Sequence, residues 1–72
     1  MKVTLVFGRE DCGKDLRVGA TVQELTTTAN LNFLGAPTEN VRFTIGGDVV
    51  ENDYVLDEGD VVYVESKPHS KA

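Results

Sequence analysis

The chain opens on a run that alternates. Val3, Leu5 and Phe7 fall on one side and Lys2, Thr4 and Val6 on the other, the period of a half-buried β-strand. Gly8 to Gly13 is polar and bracketed by glycines, which predicts a hairpin loop. A second strand is then expected over Lys14 to Val18, with Leu16 and Val18 facing the same side as the first strand's core residues. The period changes at Thr21. Thr21-Val22-Gln23-Glu24 fits a capping box, in which the Thr and Glu side chains satisfy each other's backbone donors at a helix start. Val22, Leu25 and Ala29 are spaced to give one narrow apolar helix face. Thr26-Thr27-Thr28 is β-branched and favours helix poorly, so the helix is expected to be short, ending near Asn30 or Asn32.

Leu31, Phe33 and Leu34 read as apolar side chains dropped into the core from a connecting loop, ahead of the turn segment Gly35-Ala36-Pro37-Thr38. Val41-Arg42-Phe43-Thr44-Ile45 is the cleanest alternation in the chain, with Val41, Phe43 and Ile45 inward. Gly46-Gly47 turns it into a short return strand, Asp48-Val49-Val50. Asp53 to Leu56 is a connection with one or two buried residues, Asp57-Glu58-Gly59-Asp60 a turn, and Val61 to Glu65 a last strand. Strands before and after one helix on a single sheet make an α+β arrangement. The first and last strands each carry a continuous apolar side, so they are expected to lie centrally and, if adjacent, to pair in parallel.

Seventy-two residues make one small domain, expected over 1–65, with a polar, disordered tail over 66–72. With 40% hydrophobic and 26% charged residues the chain is of ordinary globular composition, and it is too short for a multi-layer enzyme. Twelve acidic residues against seven basic ones leave a net charge of −5, which argues against nucleic acid as a partner. No apolar run approaches the ~20 residues that span a bilayer, so no membrane association is expected. The single cysteine, Cys12, leaves no internal disulfide framework, and the start has no small-residue cleavage site after its short apolar stretch. A reducing, cytoplasmic setting is the expectation.

Three segments carry a resemblance. They are Gly19-Ala20-Thr21-Val22-Gln23-Glu24-Leu25, Ile45-Gly46-Gly47-Asp48-Val49-Val50, and above all Asp53-Tyr54-Val55-Leu56-Asp57-Glu58-Gly59-Asp60-Val61-Val62-Tyr63-Val64. Met1 to about Glu65 resembles the ubiquitin-like β-grasp superfamily, nearest its bacterial sulfur-carrier branch, the small proteins of thiamine and molybdopterin biosynthesis. The resemblance implies a mixed sheet of four to five strands with one short helix packed across it. Carriers and conjugating modifiers of this family end in a mobile diglycine whose carboxylate is activated. Here no glycine follows Gly59, the last residue is Ala72, and Pro68 restricts the backbone before it. The carrier chemistry is therefore not carried over. A carrier or modifier with an atypical or processed terminus stands as the alternative.

The candidate chemistry is sparse. Cys12 is expected in an exposed, glycine-flanked loop near Arg9 and Lys14, where a cationic neighbour lowers a thiol's pKa, so it is a possible reactive thiol. His69, the only histidine, falls in the predicted tail and completes no metal-ligand spacing. Glu10-Asp11 and Asp57-Glu58 read as solvated turn residues, and Gly46-Gly47 as a hairpin turn and not a phosphate loop. No nucleophile, base and orienting group can be assembled, so no catalytic residues, cofactor, metal or small-molecule substrate are expected. What is left is the outer sheet face. If the alternate residues face a helix, then Thr4, Val6, Arg17, Arg42, Thr44, Val61 and Tyr63 point away from it. Val6, Arg42, Thr44, Val61 and Tyr63 are the candidate partner-binding residues, since apolar and aromatic side chains beside an arginine are enriched at interfaces. The expectation is a non-catalytic module, an accessory, adaptor or inhibitor, that binds a protein with a basic surface.

Overall fold

The computed structural model describes residues 1–67. They form β1 (Lys2–Phe7), β2 (Glu10–Asp15), α1 (Val22–Leu25), α2 (Thr28–Phe33), β3 (Val41–Ile45), β4 (Asp48–Val50) and β5 (Val61–Ser66). The strands make one mixed sheet in the order β2-β1-β5-β3-β4. β1 and β5 pair in parallel at its centre, as their apolar sides predict, and the remaining pairs are antiparallel. Both helices cover one face, so the chain is an α+β fold with two short helices where one was expected.

The second strand begins four residues earlier than the sequence pattern suggests. Gly8, at φ 61°, and Arg9 make the whole turn, so Phe7 pairs with Glu10 and Leu5 with Cys12. Glu10 and Asp11 read as loop because they are polar and lie between Gly8 and Gly13, whereas Lys14 and Asp15 fall in the expected strand. An edge strand, however, needs only one buried side chain, and charge along it discourages pairing with other chains. Cys12 is that side chain, 8% exposed and part of the core. Leu16 is half-buried beyond the strand, and Val18, expected inward, is 85% exposed in the turn that ends at Gly19. Arg17 is likewise in that turn, donating to Glu24 at 2.8 Å, and is not on the sheet.

The threonine run splits the predicted helix. Thr21 N–H donates to the Glu24 carboxylate at 3.1 Å, so the glutamate side of the capping box forms. One turn later Thr26 donates both its N–H and its hydroxyl to Val22 O, and α1 stops. Thr27 then caps α2, its hydroxyl accepting from Asn30 N–H at 3.2 Å. Threonine hydroxyls offer the backbone an alternative to helix continuation, and here they take it. The Leu31–Leu34 stretch is consequently helical and not a loop. Gly35, at φ 71°, closes α2 in a Schellman motif: Ala36 N–H bonds Leu31 O and Gly35 N–H bonds Asn32 O. Leu31, Leu34 and Ala36 enter the core, whereas Ala29 is exposed and Phe33, expected inside, is 74% exposed.

The core is a single cluster of Val3, Leu5, Cys12, Val22, Leu25, Leu31, Leu34, Ala36, Leu56, Val62 and Val64. Phe7, Val41, Phe43, Ile45 and Val50 pack half-buried around it. The Asp57–Asp60 turn sets the parallel register. Gly59 N–H donates to Lys2 O at 2.7 Å and Thr4 N–H to Asp60 O at 3.0 Å, so β5 starts beside Thr4. β5 runs through Ser66, and Lys67 N–H donates to Asn40 O at 2.8 Å, so the first residues of the expected tail are ordered on β3. The rest of that tail, with His69, lies outside the described residues.

Candidate functional site on the outer sheet face

The pairing registers assemble the outer face residue by residue. Val6 lies opposite Asp11 on β2 and opposite Tyr63 on β5. Tyr63 lies opposite Thr44 on β3, and Thr44 opposite Val49 on β4. Asp11, Val6, Tyr63, Thr44 and Val49 therefore form one row across all five strands. At the ordinary strand spacing that row is about 19 Å long. Beside it, towards the start of β1, Gly13, Thr4 and Val61 form a second row of smaller side chains. On the other side Arg42 lies opposite Glu65 and donates to its carboxylate at 3.0 Å.

The candidate residues thus come together, but they are not equivalent. Tyr63 is 47% exposed, Val6 and Val61 are half-buried, and Arg42 is exposed. Thr44 faces outward yet is only 5% exposed, which corrects its place among the accessible contacts. Its hydroxyl lies 3.4 Å from the second oxygen of Glu65, whose first oxygen is held by Arg42. Glu65 thereby ties β3 to β5 on this face. Val49, 56% exposed at the end of the row, belongs to the face and was not picked out from sequence. The signal was available: alternation from Phe43 through the Gly46-Gly47 turn puts Val50 inward and Val49 out.

Cys12 does not sit in an exposed loop beside cations. It is buried on the inner face of β2, opposite Leu5, where packing and not chemistry accounts for it. Asp15, at the end of β2, accepts a hydrogen bond from the Met1 ammonium at 3.1 Å. That bond, with the attraction of the same ammonium and of Lys2, holds its carboxyl below the ordinary aspartate value. Among the described residues no group of three or more His, Cys, Asp or Glu converges as a metal site would require. No helix among them is long and apolar enough to cross a membrane.

No protein-family model matches this sequence, and no curated protein matches it. Solved structures do match. A ubiquitin of Caldiarchaeum subterraneum superposes with a TM-score of 0.70 at 18% identity, over 99% of this chain and 98% of that one. The N-terminal ubiquitin-like domain of the 4931431F19Rik protein gives 0.65 at 14% identity, covering 100% of this chain and 79% of that one. ATBAG1, solved in complex with HSP70, gives 0.72 at 13% identity over 97% of this chain, which spans only 42% of that longer protein. At these identities what is shared is the fold, which is ubiquitin-like β-grasp.

Proposed function

We propose that this chain uses its ubiquitin-like β-grasp fold as a non-catalytic module that binds another protein through the outer sheet face. The observation that carries this reading is the row in which Val6, Tyr63 and Val49 lie on one face, with Val61 beside them, away from the core. Scattered apolar side chains are normal on a surface, but four on one sheet face make a patch of the kind partners cover. Addition of a partner strand at a sheet edge is the weaker mode. β2 carries Glu10, Asp11, Lys14 and Asp15, and β4 has only three residues. The net charge of −5 favours a partner whose surface is basic overall. Among the structural relatives, a complex such as that of ATBAG1 with HSP70 is consistent with a protein as the partner. The reading places the module in the cytoplasm.

The test is retention of partners from the native source on immobilised parent protein and on a Val6→Ser, Tyr63→Ala variant of equal thermal stability. A partner lost from the variant at unchanged fold supports the reading; a partner retained in full sinks it. Intact-mass analysis of the recovered chain decides the other class: covalent adducts or a thiocarboxylate would make it a modifier or carrier instead.

A further inference from the structure

β2 is the longer of the two edges at which the sheet stops. It is the outermost strand on its side, and every residue in it except Cys12 is exposed, so no other element covers it. β4, the opposite edge, has only three residues. The bonds that β2 makes to β1 decide which of its backbone groups are left over. Met1 and Leu16 exchange both bonds, the Met1 ammonium donating to Leu16 O at 2.9 Å and Leu16 N–H to Met1 O at 2.8 Å. Bonded pairs alternate along an antiparallel ladder, so Val3–Lys14, Leu5–Cys12 and Phe7–Glu10 are the bonded pairs that follow. The N–H and C=O groups of Asp11, Gly13 and Asp15 therefore point away from β1, to the open edge. An antiparallel strand laid there must set its own bonding residues against these, which allows only registers that differ by steps of two residues.

We infer that this edge pairs with the same edge of a second copy of the chain, antiparallel about a two-fold axis at Cys12. Charge along an edge repels most strands, but Arg9-Glu10-Asp11-Cys12-Gly13-Lys14-Asp15 is complementary to its own reverse. With Cys12 on the axis, Glu10 faces Lys14 of the second copy and Arg9 faces its Asp15, and symmetry forms each pair twice. Asp11 faces the uncharged Gly13 and exchanges backbone bonds with it. Cys12 meets its own copy on the axis, where any charge would oppose itself. Arg9, Glu10, Asp11 and Lys14 take part in none of the three ion pairs among the described residues, so the contact breaks none of them. Asp15 gives only its Oδ1 to the Met1 ammonium. A slip of two residues sets Asp11 against Asp11 in one direction and against Asp15 in the other, and either slip loses both ion pairs. One register therefore satisfies backbone and charge together. It joins two five-stranded sheets edge to edge, with both outer faces on the same side. A partner with two sites would then meet two faces at once. The net charge of −5 on each copy opposes association and keeps it weak. The pairing holds whatever the outer face binds.

Sedimentation velocity on the parent chain is expected to show a monomer–dimer equilibrium with a Kd of about 1 mM or tighter. Amide exchange should slow with concentration at Asp11 and Gly13 and stay as it is at Cys12 and Lys14, whose N–H groups already bond β1. Glu10→Lys and Lys14→Glu, each alone, set like charges together twice and should weaken the dimer at least about tenfold. Both side chains are exposed, so the Tm of each variant should hold. An equimolar mixture of the two variants should dimerise as the parent does, because the introduced lysine faces the introduced glutamate and Lys14 faces Glu10. A parent that stays monomeric at about 1 mM, single variants that pair as the parent does, or a mixture that does not recover would each overturn the inference. So would a dimer in which the Asp11 and Gly13 amides gain no protection.

Discussion

The two faces of one sheet follow the same two-residue period and are filled on opposite principles. On the inner face Val3, Leu5, Val62 and Val64 are each at most 5% exposed and purely aliphatic. On the outer face these strands, with β3, present a tyrosine, a buried hydroxyl, an ion pair and half-covered valines. Water forces the first arrangement, because each of those side chains contributes about 1.5–3 kcal/mol only when it is buried. Folding calls for only part of the second, the tie that Glu65 makes to Arg42 and Thr44 between β5 and β3. Apolar surface that the core does not need is the part of the molecule free to answer to a partner, and the contrast turns a fold into a functional reading.

The sharpest way to test this division is to cut each face once. Leu25→Ala removes a fully buried side chain from the helix that roofs the inner face. It should cost about 2–5 kcal/mol. A chain of this size holds only about 4–11 kcal/mol in all. Urea unfolding should therefore show a collapse of the midpoint, and a change below about 1 kcal/mol would mean the inner face is not packed as described. Tyr63→Ala on the outer face should move stability by less than about 1 kcal/mol and yet remove about 2 kcal/mol or more of partner binding. If instead it unfolds the protein, the outer face is structural and the division fails.

Cys12 probes the boundary between the faces, because it is an inner-face side chain on an otherwise charged edge strand. Iodoacetamide should label it at least about tenfold faster in urea than in the folded protein, since access requires β2 to open. Equal rates would mean that β2 is not held in the register described. The same residue shows why some of the fold was legible in the sequence and some was not. Val41–Ile45, the Gly46-Gly47 turn and the parallel β1–β5 core could be read because their alternation is dictated by burial on the strand itself. β2 does not show in the pattern because only Cys12 is buried on it, so its register comes from the Gly8-Arg9 turn and from β1. The break between α1 and α2 does not show because Thr26 and Thr27 act through hydroxyl bonds that an apolar spacing does not register. Hydrophobicity alone sends Phe33 inward, whereas Leu31 and Leu34 occupy the buried side of that turn. At the candidate site the outward set was legible from period two, but Thr44's burial and Val49's membership depend on which strands are neighbours.

The smallest effect belongs to the exposed end of β2, which neither face claims. Asp15 pairs with the Met1 ammonium at 3.1 Å, and its side chain is 76% exposed. Its carboxyl is held below the ordinary aspartate value of 3.8 first by that hydrogen bond and then by the charge of the same ammonium and of Lys2. Because the folded pKa is the lower one, the unfolded chain takes up the proton first as pH falls. The contribution is complete above the unfolded value and is lost as pH drops through the folded one. Parent protein should therefore be slightly more stable than Asp15→Asn at neutral pH, and the difference should vanish well below pH 3.8. Solvent and salt screen a pair this exposed, so the difference should also shrink in high salt at pH 7. A difference that survives both acid and salt would mean that Asp15 acts by packing the hairpin end against β1, and that the edge of the sheet is built into the core after all.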